Sequence, residues 1–213
     1  MSPEVTIPKP TPTLISEYEI KYKKEPQYQN YRDQEAALNL LFNSYPENKK
    51  IEHVLLKVSA LKDFYSTVIY DTYSVAKHIL TKDVDARLEA SDYSLVTDIA
   101  QTNLENKRSK KEETKYFRFY SFASKYCSHH KPDIYPIYDS FVEKMLMHYL
   151  EADGFDKFKK TDLRNYKRFI EVIMSFKSHY KLEKSQLKEV DHFLWMAGKE
   201  FFPKTKAAVT VEA

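Results

Sequence analysis

Residues 115–148 read KYFRFYSFASKYCSHHKPDIYPIYDSFVEKMLMH, and this stretch decides the fold. In its first half Tyr116, Phe119 and Tyr120 begin a run of apolar side chains at helical spacing, and further aromatic residues fill its flanks. That pattern predicts a central helix that is buried on most of its circumference. Pro132 should end it, because the proline ring disfavours helical geometry at the preceding residue and removes a backbone donor.

A second helix is predicted directly after this break. The run Ser140-Phe141-Val142-Glu143 has the spacing of a capping box, in which the serine and glutamate side chains each bond a backbone N–H group. The second helix should therefore begin near Asp139 or Ser140.

The composition predicts that the rest of the chain is helical too. Only two of the 213 residues are glycine, against an average of roughly 7%. This scarcity argues against a β-rich protein, a dinucleotide-binding fold and a Walker-type phosphate loop. Apolar spacing predicts further helices at 31–42, 51–59, 83–89, 93–100, 161–178 and 185–201, and another around 75–79. We therefore expect an all-α protein, folded as a compact multi-helix single domain.

The two ends of the chain differ from its middle. Residues 1–13 carry four prolines and no periodicity, so we expect a flexible arm there, and a flexible tail at 204–213. No proline-rich or serine-rich linker divides residues 14–203, which are predicted to form a single helical domain. The charged run at 105–113 is predicted to be a solvent-exposed loop or helix extension.

Composition also limits compartment and partners. A single cysteine excludes an internal disulfide and favours a reducing compartment. No apolar run approaches the roughly 20 residues of a membrane span, and the N-terminus lacks a signal-peptide core. We therefore expect a cytoplasmic protein with no membrane partner. A formal charge of +3 is only a weak bias toward anionic partners such as DNA, and the oligomeric state stays open.

Three phrases resemble parts of the helix-hairpin-helix DNA glycosylase superfamily, particularly its compact branch similar to 8-oxoguanine glycosylases. Residues 54–69, VLLKVSALKDFYSTVI, look like a helix-loop-helix of that family. Residues 121–142, SFASKYCSHHKPDIYPIYDSFV, look like the helix after the hairpin and the phrase that holds the catalytic aspartate. Residues 190–199, VDHFLWMAGK, resemble a closing helix of several small members.

The resemblance implies a helix-hairpin-helix glycosylase-like fold and excision of bases from damaged or modified DNA. The family's aspartate falls on Asp139, where it would stabilise positive charge on the sugar and orient an attacking water or amine. The glycine-rich hairpin of the family is replaced by KYFRFY at 115–120. Ser121 stands where a nucleophilic lysine would lie, which favours a monofunctional DNA N-glycosylase that uses water. No cofactor is implied, since Cys127 alone cannot hold an iron–sulfur cluster.

Aromatic and basic side chains near Asp139 complete the predicted site. Tyr135 and Tyr138 could line a substrate pocket and stack on a base, with Phe122 or Phe141 opposite, although the same aromatics would also fill a core. Five cations are candidates for contacts with the DNA backbone, and the acidic residues interleaved among the basic clusters fit a mixed solvent face equally well. The five are Lys125, Lys160, Arg164, Lys167 and Arg168.

Non-catalytic interpretations also remain open. Carboxylates at helix starts are common caps, so Asp139 could cap the second helix and do no chemistry. The protein could also be a catalytically inactive relative, or a non-enzymatic helical module that binds protein or nucleic acid. His129 and His130 offer no HxxxH or HExxH spacing, so they predict a solvated helix end and no metal site.

Overall fold

The computed structural model describes residues 6–67, 69, 71–102 and 112–203, and for residues 112–118 it describes the backbone alone. Within these ranges every regular element is helical, which confirms the all-α prediction. Residues 1–5 of the predicted arm, residues 105–111 of the charged run and the predicted tail at 204–213 lie outside the described residues.

The described helices form one compact domain, and none of them is both long and apolar enough to cross a membrane. Two short 3-10 segments accompany them, at Pro26–Tyr28 and Lys160–Arg164. In chain order the α-helices are α1 (Pro12–Lys24), α2 (Gln29–Ser44), α3 (Ile51–Phe64), α4 (Thr72–Leu80), α5 (Val84–Glu89), α6 (Ser94–Ala100), α7 (Glu112–His130), α8 (Ser140–Asp153), α9 (Tyr166–His179) and α10 (Leu187–Phe201).

Helix α7 runs through the core, as its apolar circumference predicts. Phe122, Tyr126 and Cys127 are completely buried, and the helix packs against α2, α3 and α6. A second group of helices packs beside it, in which α10 lies between α8 and α1. The burial of these apolar side chains is the main stabilising term, at roughly 25 cal/mol for each Å² removed from water.

The break between α7 and α8 lies where the sequence predicts it. Helix α7 ends at His130, and the N–H of Lys131 donates the next bond to the Cys127 carbonyl at 2.9 Å. Pro132 follows in a turn, because it has no N–H with which to continue this ladder.

Helix α8 begins at Ser140, but the predicted capping box is wrong. Asp139 is the N-cap, one residue earlier than the box requires. The Glu143 side chain therefore does not return to the backbone: it accepts a hydrogen bond from the Tyr138 hydroxyl and pairs with Lys160 at 2.7 Å.

The structure describes part of the predicted arm at 1–13, and α1 already begins at Pro12. Thr11 caps α1 by accepting a hydrogen bond from the N–H of Leu14 at 3.1 Å, and Pro12 occupies the first helical position, where a missing N–H costs nothing. Upstream, the Pro8 carbonyl accepts a hydrogen bond from the Tyr149 hydroxyl at 2.8 Å. Pro8 of the predicted arm is therefore bonded to α8, which the proline-rich composition alone does not indicate.

Gly198 sets how closely α10 approaches the start of α8. A Cβ at this position would lie 2.6 Å from the Cβ of Phe141 and 3.0 Å from its carbonyl oxygen. These separations are below van der Waals contact, so the two helices pack this closely only because residue 198 has no side chain.

We expect Gly198→Ala to destabilise the fold by about 1–3 kcal/mol, since the new methyl group overpacks the α8–α10 contact. The free energy of unfolding in urea measures the effect. Ser59→Ala, on the exposed face of α3, is the control and should change stability by less than about 0.5 kcal/mol. A Gly198→Ala protein more stable than the natural one would contradict the close approach, because alanine is the better helix former.

Candidate active site

A cavity of about 1020 Å³ lies between α2, the end of α3, the middle of α7, the start of α8 and α10. Its volume is at the upper end of the range for small-molecule sites, which is roughly 300–1,000 Å³. The lining side chains that carry chemistry are Lys125, Asp139, Asp191, His192 and Trp195.

Three side chains hold the backbone of residues 136–138, the segment that leads to Asp139. The hydroxyl of Ser124, buried on α7, accepts a hydrogen bond from the Tyr138 N–H at 3.1 Å. The Tyr166 hydroxyl donates to the Pro136 carbonyl at 2.7 Å, and Asp191 accepts from the Ile137 N–H at 3.0 Å. Because these partners come from α7, α9 and α10, the start of α8 is fixed relative to all three helices.

Asp139 caps α8 and also faces the cavity. Its Oδ1 accepts hydrogen bonds from the N–H groups of Phe141 and Val142, at 2.8 and 2.9 Å. Among the described residues, Oδ2 accepts no hydrogen bond. The capping and catalytic interpretations are therefore compatible, since each uses a different oxygen.

Lys125 is a buried amine on the same cavity. Its side chain comes from α7, only 6% of the residue is exposed, and Nζ donates to Ser121 Oγ at 2.6 Å. Nζ also lies 4.9 Å from the centre of the Tyr65 ring. Burial lowers the pKa of Lys125, and the nearby carboxylates of Asp139 and Asp191 only partly oppose this. The environment therefore favours the neutral amine more than an exposed surface would.

Asp191 is a buried carboxyl group on α10, 4% exposed. Its Oδ2 accepts the hydrogen bond from the Ile137 N–H, whereas Oδ1 is buried and has no hydrogen-bond partner among the described residues. Burial raises the pKa of Asp191 from its ordinary 3.8 to about 7, against the effects of that N–H, Lys188 and His192. A carboxyl group in this setting exchanges a proton near neutral pH.

A chain of charged groups ties α10 to α1 and α2 beside the cavity. His192 Nδ1 lies 2.9 Å from a carboxylate oxygen of Glu19, and Nε2 lies 3.8 Å from Glu35. Lys188 pairs with the same Glu35 oxygen at 2.8 Å. Burial disfavours the charged imidazole, but the two glutamates outweigh it and raise the pKa of His192.

Aromatic side chains form one wall of the cavity. The Trp195 and Tyr31 rings meet edge to face, with centres 4.8 Å apart. Lys199 Nζ lies 4.6 Å from the Trp195 ring centre and donates to the Tyr31 hydroxyl at 2.7 Å. Both rings are partly exposed, so a flat apolar ligand group has a surface on which to pack.

The four predicted pocket aromatics divide into two groups. Phe141 and Tyr138 line the cavity, although Tyr138 is mostly buried and its hydroxyl is bonded to Glu143. Phe122 and Tyr135 are completely buried and lie outside the cavity lining, so assigning them to the pocket was wrong. Their helical and loop positions point them into the core, where they pack with other aromatic rings.

The five predicted backbone cations are not one surface. Lys125 is buried, which corrects its assignment as an exposed phosphate contact. Lys160 and Arg164 line the cavity, and Lys160 pairs with Glu143. Arg168 lies outside the lining, paired with Asp156 at 2.9 Å and Glu171 at 3.3 Å. Lys167 is exposed and also outside it.

His129 and His130 are only partly exposed, so the prediction of a solvated helix end was wrong. Burial lowers the pKa of each to about 3, so both are neutral. His129 Nε2 lies 3.0 Å from the Tyr65 hydroxyl, and His130 Nε2 lies 3.2 Å from Asn48 Oδ1. Across the described part of the chain, no group of three or more His, Cys, Asp or Glu side chains is placed to hold a metal ion.

The sequence prediction missed the contribution of α10. Lys188, Asp191, His192, Trp195 and Lys199 all line the cavity, and their spacing places them on one side of the helix. A stripe of charged groups on a helix rich in apolar residues was the signal in the sequence. The resemblance of residues 190–199 to a closing helix does not by itself point to these groups.

We expect Asp139→Ala to destabilise the protein by about 0.5–2 kcal/mol, because two N–H groups at the start of α8 lose their acceptor. Asp139→Asn keeps an acceptor oxygen and should be closer to the natural protein. Asp71→Ala, which removes a cap of α4 away from the cavity, is the matched control for the loss of a cap. Urea unfolding of the three variants makes the comparison, and an Asp139→Ala protein of natural stability would exclude the capping role.

His192 predicts a specific pH dependence of stability. Its pKa in the folded protein is above the ordinary value of 6.5. The ion pairs of the charged His192 imidazole therefore stabilise the folded protein fully below about pH 6.5. This stabilisation is lost as the pH rises through the pKa of His192 in the folded protein. We expect His192→Gln to cost on the order of 1–3 kcal/mol at pH 6 and progressively less at higher pH. The difference in unfolding free energy between the two proteins, measured from pH 5 to 9, tests this. A constant difference across that range would refute it.

Two comparisons with known proteins identify relatives. A 45% identical relative over 157 residues, covering 73% of this chain and 71% of its own length, is an uncharacterised protein of Haemophilus influenzae. No solved structure matches the chain. The family model HI_0787_N, described as an N-terminal domain, matches residues 14–134, more than half of the chain. The chain therefore belongs to the HI_0787_N family.

Proposed function

We propose that this protein is an enzyme that excises a base from DNA, with the cavity beside Asp139 as its active site. The observation that carries the proposal is the placement of a buried amine, Lys125, and a carboxylate with an unbonded oxygen, Asp139, on one cavity. This pairing supports the base-excising chemistry that the resemblance to helix-hairpin-helix glycosylases implies.

Asp139 would act on the sugar. When the bond between base and sugar breaks, positive charge develops on the sugar, and a nearby carboxylate stabilises it. The two N–H groups at the start of α8 bind Oδ1 and so fix the orientation of the Asp139 carboxylate. Its Oδ2 is then the oxygen that faces the substrate.

Lys125 would act as the nucleophile. A lysine attacks as the neutral amine, and burial favours that form here. The amine would displace the base at the sugar carbon and form a covalent imine that water later hydrolyses. This departs from the water-using mechanism that Ser121 suggested, because Lys125, one helical turn further along α7, lines the cavity with Asp139.

DNA is the proposed substrate on two grounds. The cavity has room for a nucleotide that has been rotated out of a duplex, which is how enzymes reach a base. Lys160, Arg164 and Lys199 also line it and could meet phosphates, while Trp195 offers a surface on which a base can stack.

The test is strand scission on labelled duplexes carrying oxidised, alkylated, deaminated or hypermodified bases, with and without alkali. We expect scission of at least one duplex by the natural protein and a loss of roughly 100-fold or more in Asp139→Asn. Borohydride should trap a covalent complex with the natural protein and none with Lys125→Met, which fills the same space without an amine. Lys24→Met, at an exposed position on α1 outside the cavity, is the matched control and should behave as the natural protein does.

The outcomes separate the alternatives. If scission needs alkali and borohydride traps no complex, then water is the nucleophile in place of Lys125, and the proposed role of Asp139 stands. If no duplex is cut while the variants fold normally, the enzyme proposal fails and a helical binding module takes its place.

A further inference from the structure

Asp191 is the part of the cavity that the amine and the sugar-facing carboxylate do not explain. It is 4% exposed, its Oδ2 is bonded to the Ile137 N–H, and its buried Oδ1 has no partner among the described residues. A buried oxygen without a hydrogen bond is unfavourable, because it has lost contact with water and has gained no other partner. An arrangement of this kind is expected where a ligand supplies the missing partner.

The geometry points to Asp191 as a third catalytic residue, the acid that gives its Oδ1 proton to the departing base. This inference rests on the proposed function. Oδ2 accepts a hydrogen bond and so has the role of the carbonyl oxygen of a neutral carboxylic acid, which leaves the proton on Oδ1. A ligand that completes the site must then offer an acceptor, such as a ring nitrogen or carbonyl oxygen of a base.

The step balances with the groups present. As the bond between the sugar carbon and the base nitrogen breaks, its electron pair passes to the base, and the base takes the proton from Asp191. The Lys125 amine bonds to the sugar carbon and becomes a cation, and its surplus proton returns to the Asp191 carboxylate. The products are the free neutral base and the lysine–sugar adduct, with no outside oxidant or reductant.

Charged side chains from several helices lie near Asp191 and affect its pKa. Lys125 faces it from α7 and Asp139 from the start of α8, while Lys188 and His192 come from its own helix. Beyond these, Glu35 of α2 pairs with Lys188 and lies near His192. Burial outweighs the nearby cations, and the pKa of Asp191 is raised to about 7. The acid form is therefore substantially populated at neutral pH.

The experiment compares single-turnover excision rates across pH 5–9 for the natural protein, Asp191→Asn and Asp156→Asn. Asparagine keeps an oxygen for the Ile137 N–H but has no proton to give. Asp156 is a matched control, since it also has one buried oxygen without a partner and lies outside the cavity lining. Substrates are a neutral oxidised base and 7-methylguanine, which is already cationic and leaves without an acid.

We expect Asp191→Asn to slow excision of the neutral base by roughly 10²- to 10⁴-fold, and excision of 7-methylguanine by far less. With the neutral base, the natural rate should fall as the pH rises through the titration of Asp191. Asp191→Asn should lack that fall, and Asp156→Asn should retain it. If Asp191→Asn does not fold, the contrast between the two pH profiles of the natural protein decides instead.

Three results would overturn the assignment. Equal losses on both substrates would make Asp191 a positioning residue for Ile137. Natural rates and pH profile in a folded Asp191→Asn protein would remove it from the reaction, with the proposed function intact. Excision of cationic bases alone would show that no acid is needed. A natural protein that excises nothing defeats the proposed function itself, and the acid role with it.

Discussion

The structure depends on how the segment before α8 is held. Ser124 of α7 bonds the backbone N–H of Tyr138, Tyr166 of α9 bonds the Pro136 carbonyl, and Asp191 of α10 bonds the Ile137 N–H. Hydrogen bonds from three helices thus satisfy a loop that would otherwise bury unpaired backbone groups. The same bonds bring the start of α8 to the part of α7 that carries Lys125.

The same packing brings two buried titratable side chains to the cavity. Lys125 and Asp191 are both nearly inaccessible to solvent, and neither forms an ion pair with a described residue. Burial moves both pKa values toward the neutral forms, the amine and the acid. Clefts in which burial shifts the pKa of titratable groups in this way are typical of sites that transfer protons. A purely structural core would more easily use apolar side chains of similar size.

Ion pairs, as well as packing, hold together the helices around the cavity. His192 lies between Glu19 of α1 and Glu35 of α2, so one imidazole on α10 connects both N-terminal helices. Gly198 lets the same helix approach α8 closely on its other side. Helix α10 therefore links the N-terminal helices to the start of α8, and it contributes Asp191 and Trp195 to the space between them.

The sequence by itself determined the helical class, the buried helix α7 and its end before Pro132. These features follow from glycine scarcity, apolar spacing and proline geometry, all of which act over a few residues. A helix start near Asp139 or Ser140 was also predicted, but from a capping box that the structure replaces with Asp139 as the N-cap. Only the tertiary structure decided that Lys125 is buried in the cavity, that Tyr135 and Phe122 are core, and that α10 supplies Asp191. Those outcomes depend on side chains from helices distant in sequence, and burial and pKa values arise only when such helices pack together.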